Sequence, residues 1–174
     1  MDTSLIPQRY ADFTTVTCLN WTPLLNKDCF KEIITDSLYF LSDEKRAIIY
    51  AFVIMSTHFH IVWQVTGTRQ PHTVRRDFLK FTAQQILRTL AEQSPHYLND
   101  LLVNARDRKF QVWERNSLSI PLWSAAVINQ KIEYIHNNPV EAGLCKNPWD
   151  YHYSSAGFYF QNDTHWKFLV HVDG

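Results

Sequence analysis

The sequence predicts one α+β domain, residues 1–174, built on an antiparallel sheet. Runs rich in β-branched and aromatic residues take turns with segments whose apolar residues recur at helical spacing. Two of the strand runs are joined by only two residues, Ser56-Thr57, which implies a hairpin. The 174 residues, 45% hydrophobic and 14% aromatic, suffice for one sizeable core, with no repeat or linker to divide them.

Phe13 to Leu19 reads as the first strand, broken by Asn20-Trp21-Thr22-Pro23. Asp28 is an expected cap for a helix over residues 29–41, where Phe30, Ile33, Ile34, Leu38 and Leu41 recur at helical spacing. Ala47 to Met55 is almost wholly apolar, as a covered central strand is. The strand after the hairpin carries His58-Phe59-His60. Side chains alternate along a strand, so His58, His60, Val62 and Gln64 share one face and Phe59, Ile61, Trp63 and Val65 the other. Pro71-His72-Thr73 opens a long helix to about Gln93, with Thr73 the expected cap. Leu79, Ala83, Ile86 and Leu90 form its apolar row, and Arg76, Lys80, Gln84 and Arg88 a mostly cationic one.

Residues 94–109 read as an irregular connection, and Phe110 to Arg115 as a fourth strand. Ile128, Ile132 and Ile135 mark one face of a helix from about Ala125 to Asn137, and an aromatic tail follows. The order β-α-β-β-α-β is that of a ferredoxin-like, or RRM-like, fold with helices on one face of an antiparallel sheet and an added C-terminal helical region.

Net charge is zero, so no global excess points to a polyanion. Residues 69–115 nevertheless hold nine Lys/Arg against five Asp/Glu. No apolar run is long enough to span a bilayer, and the start lacks the form of a secretion signal. Three scattered cysteines read as free thiols in a reducing cytoplasm.

Two imidazoles side by side on a strand are a metal-ligand geometry, and also an ordinary half-buried pair; the bare His-x-His spacing favours the second. On the late helix, Tyr134 and Asn138 are four residues apart and stack on one face. Tyr134 lies roughly 130° around the helix from the isoleucine row, so its phenol falls at the edge of the packed face. Asn138, followed by Pro139, Glu141 and Gly143, reads on the residues alone as the N-cap of a new short helix.

His58-Phe59-His60, then Tyr134-Ile135-His136-Asn137-Asn138-Pro139-Val140-Glu141-Ala142-Gly143-Leu144 and Tyr153-Ser154-Ser155-Ala156, closely resemble the single-tyrosine His-hydrophobe-His transposases. Within that family the chain is most similar to the bacterial REP-associated tyrosine transposases, and the resemblance runs from about Tyr10 to Tyr159. It implies a DNA strand transferase that nicks and rejoins single-stranded DNA at hairpin-forming repeats. Tyr134 matches the nucleophile that gives a 5′-phosphotyrosine. His58 and His60 match two ligands of a divalent ion, Mg²⁺ or Mn²⁺, and Asn138 matches a third. A single-stranded substrate suits an exposed basic surface, for which Arg75, Arg76, Lys80, Arg106, Arg108 and Arg115 are candidates. His136 is read as structural or a DNA contact. The implied setting is the bacterial cytoplasm, on DNA, as a monomer or homodimer without a membrane partner. Two alternatives stand beside this reading. One is a catalytically silent, domesticated single-stranded DNA-binding protein, the other a small metal-dependent phosphoesterase that activates water.

Overall fold

The protein is described by a computed structural model over residues 10–174. Strand β1 (Ala11–Thr17) leads through two short 3₁₀ turns to helix α1 (Asp28–Asp43). The hairpin β2 (Ala47–Ile54) and β3 (His58–Val65) comes next, then the long helix α2 (Pro71–Gln93). Strand β4 (Leu118–Leu122), helix α3 (Ala125–Glu141) and the short α4 (Ala156–Gln161) complete the chain. The sheet runs β2-β3-β1-β4, every neighbour antiparallel. Thus β3 and β1 are the central strands, and the histidines sit in the middle of the molecule.

Alternation divides β3 as expected. Phe59, Ile61, Trp63 and Val65 join the larger core, under α1 and α2, with Ile34 and Leu38 of α1 and Val74, Phe78, Ile86 and Leu90 of α2. On the opposite face, Val62 meets Phe13, Val53, Leu122 and the α3 residues Ile132 and Ile135 in a second core. Burying one such side chain fully stabilises the fold by about 1.5–3 kcal/mol. The added helix α3 is therefore what closes the histidine face, while α1 and α2 close the other.

Five details depart from the sequence expectations. Asp28 is the first residue of α1 rather than its cap, and ion-pairs with Lys31 at 3.0 Å. Thr73 lies inside the first turn of α2, whose N-cap is Gln70. The buried row of that helix is Val74, Phe78, Thr82, Ile86 and Leu90, so Leu79 and Ala83 flank the core. Phe110 to Arg115 makes isolated bridges only, because Val112 and Trp113 turn into the larger core, where the Trp113 indole donates to the Thr82 hydroxyl at 3.1 Å. The fourth strand is instead Leu118–Leu122, an edge strand that tolerates Pro121 because no partner strand among the described residues lies on its outer side.

The fifth concerns Asn138-Pro139. Helix α3 does not restart there; it runs through Pro139, which is buried beside Ile135 and His136. Gly143 ends it. With φ at +71° Gly143 adopts the left-handed conformation, its N–H reaching the Val140 carbonyl and the Leu144 N–H the Pro139 carbonyl, both at 2.9 Å.

The outer edge of β2 is covered by the tail. The Ile54 N–H donates to the Tyr153 carbonyl at 2.9 Å and the Ser155 N–H to the Phe52 carbonyl at 3.0 Å. Ser155 Oγ accepts from the Phe52 N–H at 3.0 Å and meets His136 Nε2 at 2.8 Å, joining tail, edge strand and α3. Among the described residues no helix is long and apolar enough to cross a membrane. Replacing Ser155 with Ala leaves buried partners unpaired, and urea denaturation is expected to show a loss of about 1–3 kcal/mol.

Candidate active site

The histidine face meets α3 where Tyr134 and Asn138 project. In the sheet register Thr15 of β1 stands opposite His60, and Thr17 opposite His58. His60 is buried. Its Nδ1 meets the Thr15 hydroxyl at 2.8 Å, and its ring stacks on Phe13 with centroids 5.3 Å apart. Its Nε2 is a buried side-chain nitrogen with no hydrogen-bond partner among the described residues. Burial pushes its pKa down to about 3, helped by the nearby His58 and by the positive charge of Lys131. The ring is therefore neutral at pH 7.

His58, less deeply placed, meets the Thr57 hydroxyl through Nδ1 at 3.0 Å. Burial lowers its pKa, and a polar contact from the Asn138 side chain pulls the other way. The two imidazole centroids are 4.9 Å apart. Asn138 donates through Nδ2 to the Tyr134 carbonyl at 3.1 Å. Since only the amide NH₂ can face a carbonyl, Oδ1 is the atom that faces His58. The cap role that the sequence suggested for Asn138 does not exist, so it does not compete for that oxygen.

Tyr134 stands where the helix geometry placed it. The residue is 45% exposed, and its ring edges onto His60 at 5.4 Å and Phe13 at 6.0 Å. A reachable phenol thus lies beside an unpartnered imidazole nitrogen, with a second imidazole and an amide oxygen close by. Chemically, a phenol can act as an oxygen nucleophile, and two imidazoles with an amide oxygen can act as a mixed nitrogen and oxygen donor set. Among the described residues no three His, Cys, Asp or Glu side chains are grouped so as to hold a metal.

No family model matches the sequence, and no curated relative matches it either. Solved structures do. A REP-associated tyrosine transposase bound to a REP hairpin has a TM-score of 0.63 at 17% identity, over 92% of this chain and 82% of that one. A protein from Deinococcus radiodurans R1 assigned as a transposase has a TM-score of 0.52 at 12% identity, over 79% of this chain and 96% of that one. The chain shares their fold.

The basic candidates are distributed otherwise than the sequence suggested. Arg75, Arg76 and Lys80 belong to α2, which packs on the face of the sheet away from the histidine pair. Arg75 acts electrostatically on Asp12, and Arg76 ion-pairs with Asp77 at 2.9 Å. Arg106 and Arg108 are exposed on the connection before β4, Arg108 within 3.5 Å of Asp107. Arg115 is also exposed. It follows a segment tied to the end of β1 by the Glu114 N–H donating to the Thr17 carbonyl at 2.8 Å, so of the six it lies nearest His58 in the sheet register.

The cation that does stand at the site was not singled out in the sequence. Lys131 Nζ lies 4.7 Å from the Phe13 ring centroid and 5.6 Å from that of Tyr134. Its position three residues before Tyr134, one turn up the same helix face, is the signal that could have found it. Thr15 and Phe13 had no such signal, because they reach the site through strand pairing.

His136 is structural: buried, bonded to Ser155, and held down to about pKa 4 by its burial. An imidazole that is neutral when folded binds fewer protons than its unfolded counterpart at acid pH. Its contribution to stability is therefore complete above pH 6.5 and lost as pH falls from about 6.5 towards 4. Thermal midpoints are expected to fall through that window, and His136→Gln to make the decline shallower.

Proposed function

We propose that the protein nicks and rejoins single-stranded DNA at hairpin-forming repeats, with Tyr134 as nucleophile and a divalent ion held by His58, His60 and Asn138. The observation that carries this reading is the buried His60 Nε2, without a partner among the described residues, on a ring that the exposed Tyr134 edges onto. A buried polar atom without a partner costs stability, so its retention calls for a partner of another kind. The donor set fits Mg²⁺ or Mn²⁺ loosely: two imidazoles favour Mn²⁺, and three protein ligands leave positions for phosphate oxygen and water. When bound, the ion polarises the scissile phosphate and offsets its charge.

The chain's own groups divide the remaining work. With an ion at Nε2, His60 Nδ1 would carry the proton and donate it to the Thr15 hydroxyl 2.8 Å away, a contact that would hold the tautomer with the Nε2 lone pair free. The Tyr134 oxygen attacks phosphorus, its proton passing to solvent; the P–O3′ bond breaks and the 3′ oxygen leaves as a hydroxyl once protonated. The product is a 5′-phosphotyrosine, and attack by a 3′-hydroxyl reverses the step without ATP. Lys131 sets a positive charge beside the phenol, where negative charge develops. The related fold bound to a REP hairpin supports a hairpin as the partner, and the exposure of Arg115, next to a residue tied to Thr17 opposite His58, supports it as a backbone contact.

The test is a labelled single-stranded hairpin oligonucleotide incubated with Mn²⁺ or Mg²⁺ and resolved on a denaturing gel. A covalent protein–DNA adduct is expected from the wild type, none from Tyr134→Phe, and binding by that variant close to wild type. His58→Ala and His60→Ala are expected to remove the metal-dependent cleavage. Cleavage that survives Tyr134→Phe means hydrolysis by activated water, and binding without any adduct means a silent binder. A second expectation concerns Lys131: Lys131→Met slows adduct formation on the order of 10²-fold at saturating DNA, whereas Lys131→Arg retains most of the rate.

A further inference from the structure

The turn after β1 presents an exposed indole beside the histidine pair. Trp21 is 62% exposed, and its ring edges onto His58 with centroids 5.7 Å apart. The rings then run from Trp21 to His58, from His58 to His60 at 4.9 Å, and from His60 to Tyr134 at 5.4 Å. Trp21 and Tyr134 are the exposed ends of that row, with the ligand candidates between them.

The backbone that holds Trp21 is strained. Asn20 and Trp21 both lie in the left-handed region, at φ +53° and +55°. Asn tolerates this conformation, whereas a bulky side chain such as Trp adopts it only where the surroundings impose it. Here they do. The Leu19 N–H donates to the Val112 carbonyl at 2.8 Å, and the Asn20 N–H to Glu114 Oε1 at 2.6 Å. The Trp21 N–H donates to the Cys18 carbonyl at 3.0 Å, and the Thr22 hydroxyl to the Leu19 carbonyl at 2.7 Å. On the other side, the Cys18 N–H takes the Thr57 carbonyl at 2.8 Å and the Leu25 N–H the Ser56 carbonyl at 2.9 Å. The strained turn is thereby fastened to the two residues that precede His58. Its product is an aromatic face held in solvent at a fixed place relative to the site, and core packing does not account for it.

We propose that Trp21 is the stacking platform for a base that neighbours the scissile phosphate on the His58 side. The inference rests on the reading of this face as a single-stranded DNA site. Every base has a π-face, so a rigid exposed indole binds an unpaired nucleotide with little sequence preference. A base seated there fixes the register of the strand, and with it which phosphate meets Tyr134.

The test uses the full chain carrying Tyr134→Phe, without divalent ion, so that binding is read apart from cleavage. A fluorescent hairpin oligonucleotide with a single-stranded flank is titrated by anisotropy, and an abasic site is walked through the flank. Trp21→Asn keeps the left-handed turn and removes the platform; Trp21→Phe keeps an aromatic face. The expected result is about tenfold weaker binding by Trp21→Asn, with an unchanged thermal midpoint, and most of the affinity retained by Trp21→Phe. One abasic position should cost the parent a similar factor and cost Trp21→Asn nothing further. Parental affinity in Trp21→Asn, or abasic losses that add to it at every position, overturns the inference alone. A parent that binds no single-stranded DNA overturns the reading of the site together with it.

Discussion

One ring constrains this structure more than any other: the imidazole of His60, held in the middle of a four-stranded sheet with one nitrogen satisfied by Thr15 and the other without a partner among the described residues. Burial forbids the charged form, so the ring is a neutral donor of a lone pair or of a hydrogen bond. Neutrality there depends on its surroundings. The Thr15 hydroxyl arrives through the β1–β3 register, the Phe13 ring covers the imidazole face, and α3 closes the region from above. A slip of one residue between β1 and β3 would turn every one of these side chains to the wrong face.

The two faces of the sheet do different work. The face under α1 and α2 is apolar throughout its centre and fixes β3 from behind through Phe59, Ile61 and Trp63. The face under α3 is mixed: Ile132 and Ile135 dock the helix, and beside them two turns offer Lys131, Tyr134 and Asn138 to the strands below. The tail then anchors α3 through His136 and Ser155 to the edge strand β2. Site geometry therefore depends on long-range contacts made by residues that touch none of the reacting groups.

Much of this was legible in the sequence, for physical reasons. Period-two alternation fixes which side chains of β3 share a face, so the histidine pair and its apolar backing followed from order alone. The 100° step of a helix likewise placed Tyr134 at the edge of the isoleucine row. Other features were hidden because tertiary contacts overrode local preference. Asn138-Pro139 has the local form of a helix start, yet burial of Ile135, His136 and Pro139 along one face carries α3 through it. Phe110 to Trp113 alternates like a strand, yet Trp113 finds its indole partner on α2. The true fourth strand is short, exposed and contains Pro121, so it carried no strand pattern. The cationic row on α2 was real as a row, but which face of the sheet α2 covers is a property of topology. Lys131 went unremarked because a single lysine on a helix is ordinary until the helix is docked.

The central claim is that the buried His60 nitrogen belongs to a metal centre beside the Tyr134 phenol. Anomalous scattering at the manganese edge from crystals grown with Mn²⁺ tests it most directly. The account predicts a single strong peak within bonding distance of His60 Nε2, with His58 and Asn138 completing the protein ligands, and its loss in His60→Ala. A well-ordered His58–His60 pair with no peak at millimolar Mn²⁺, or a peak elsewhere on the molecule alone, would contradict it.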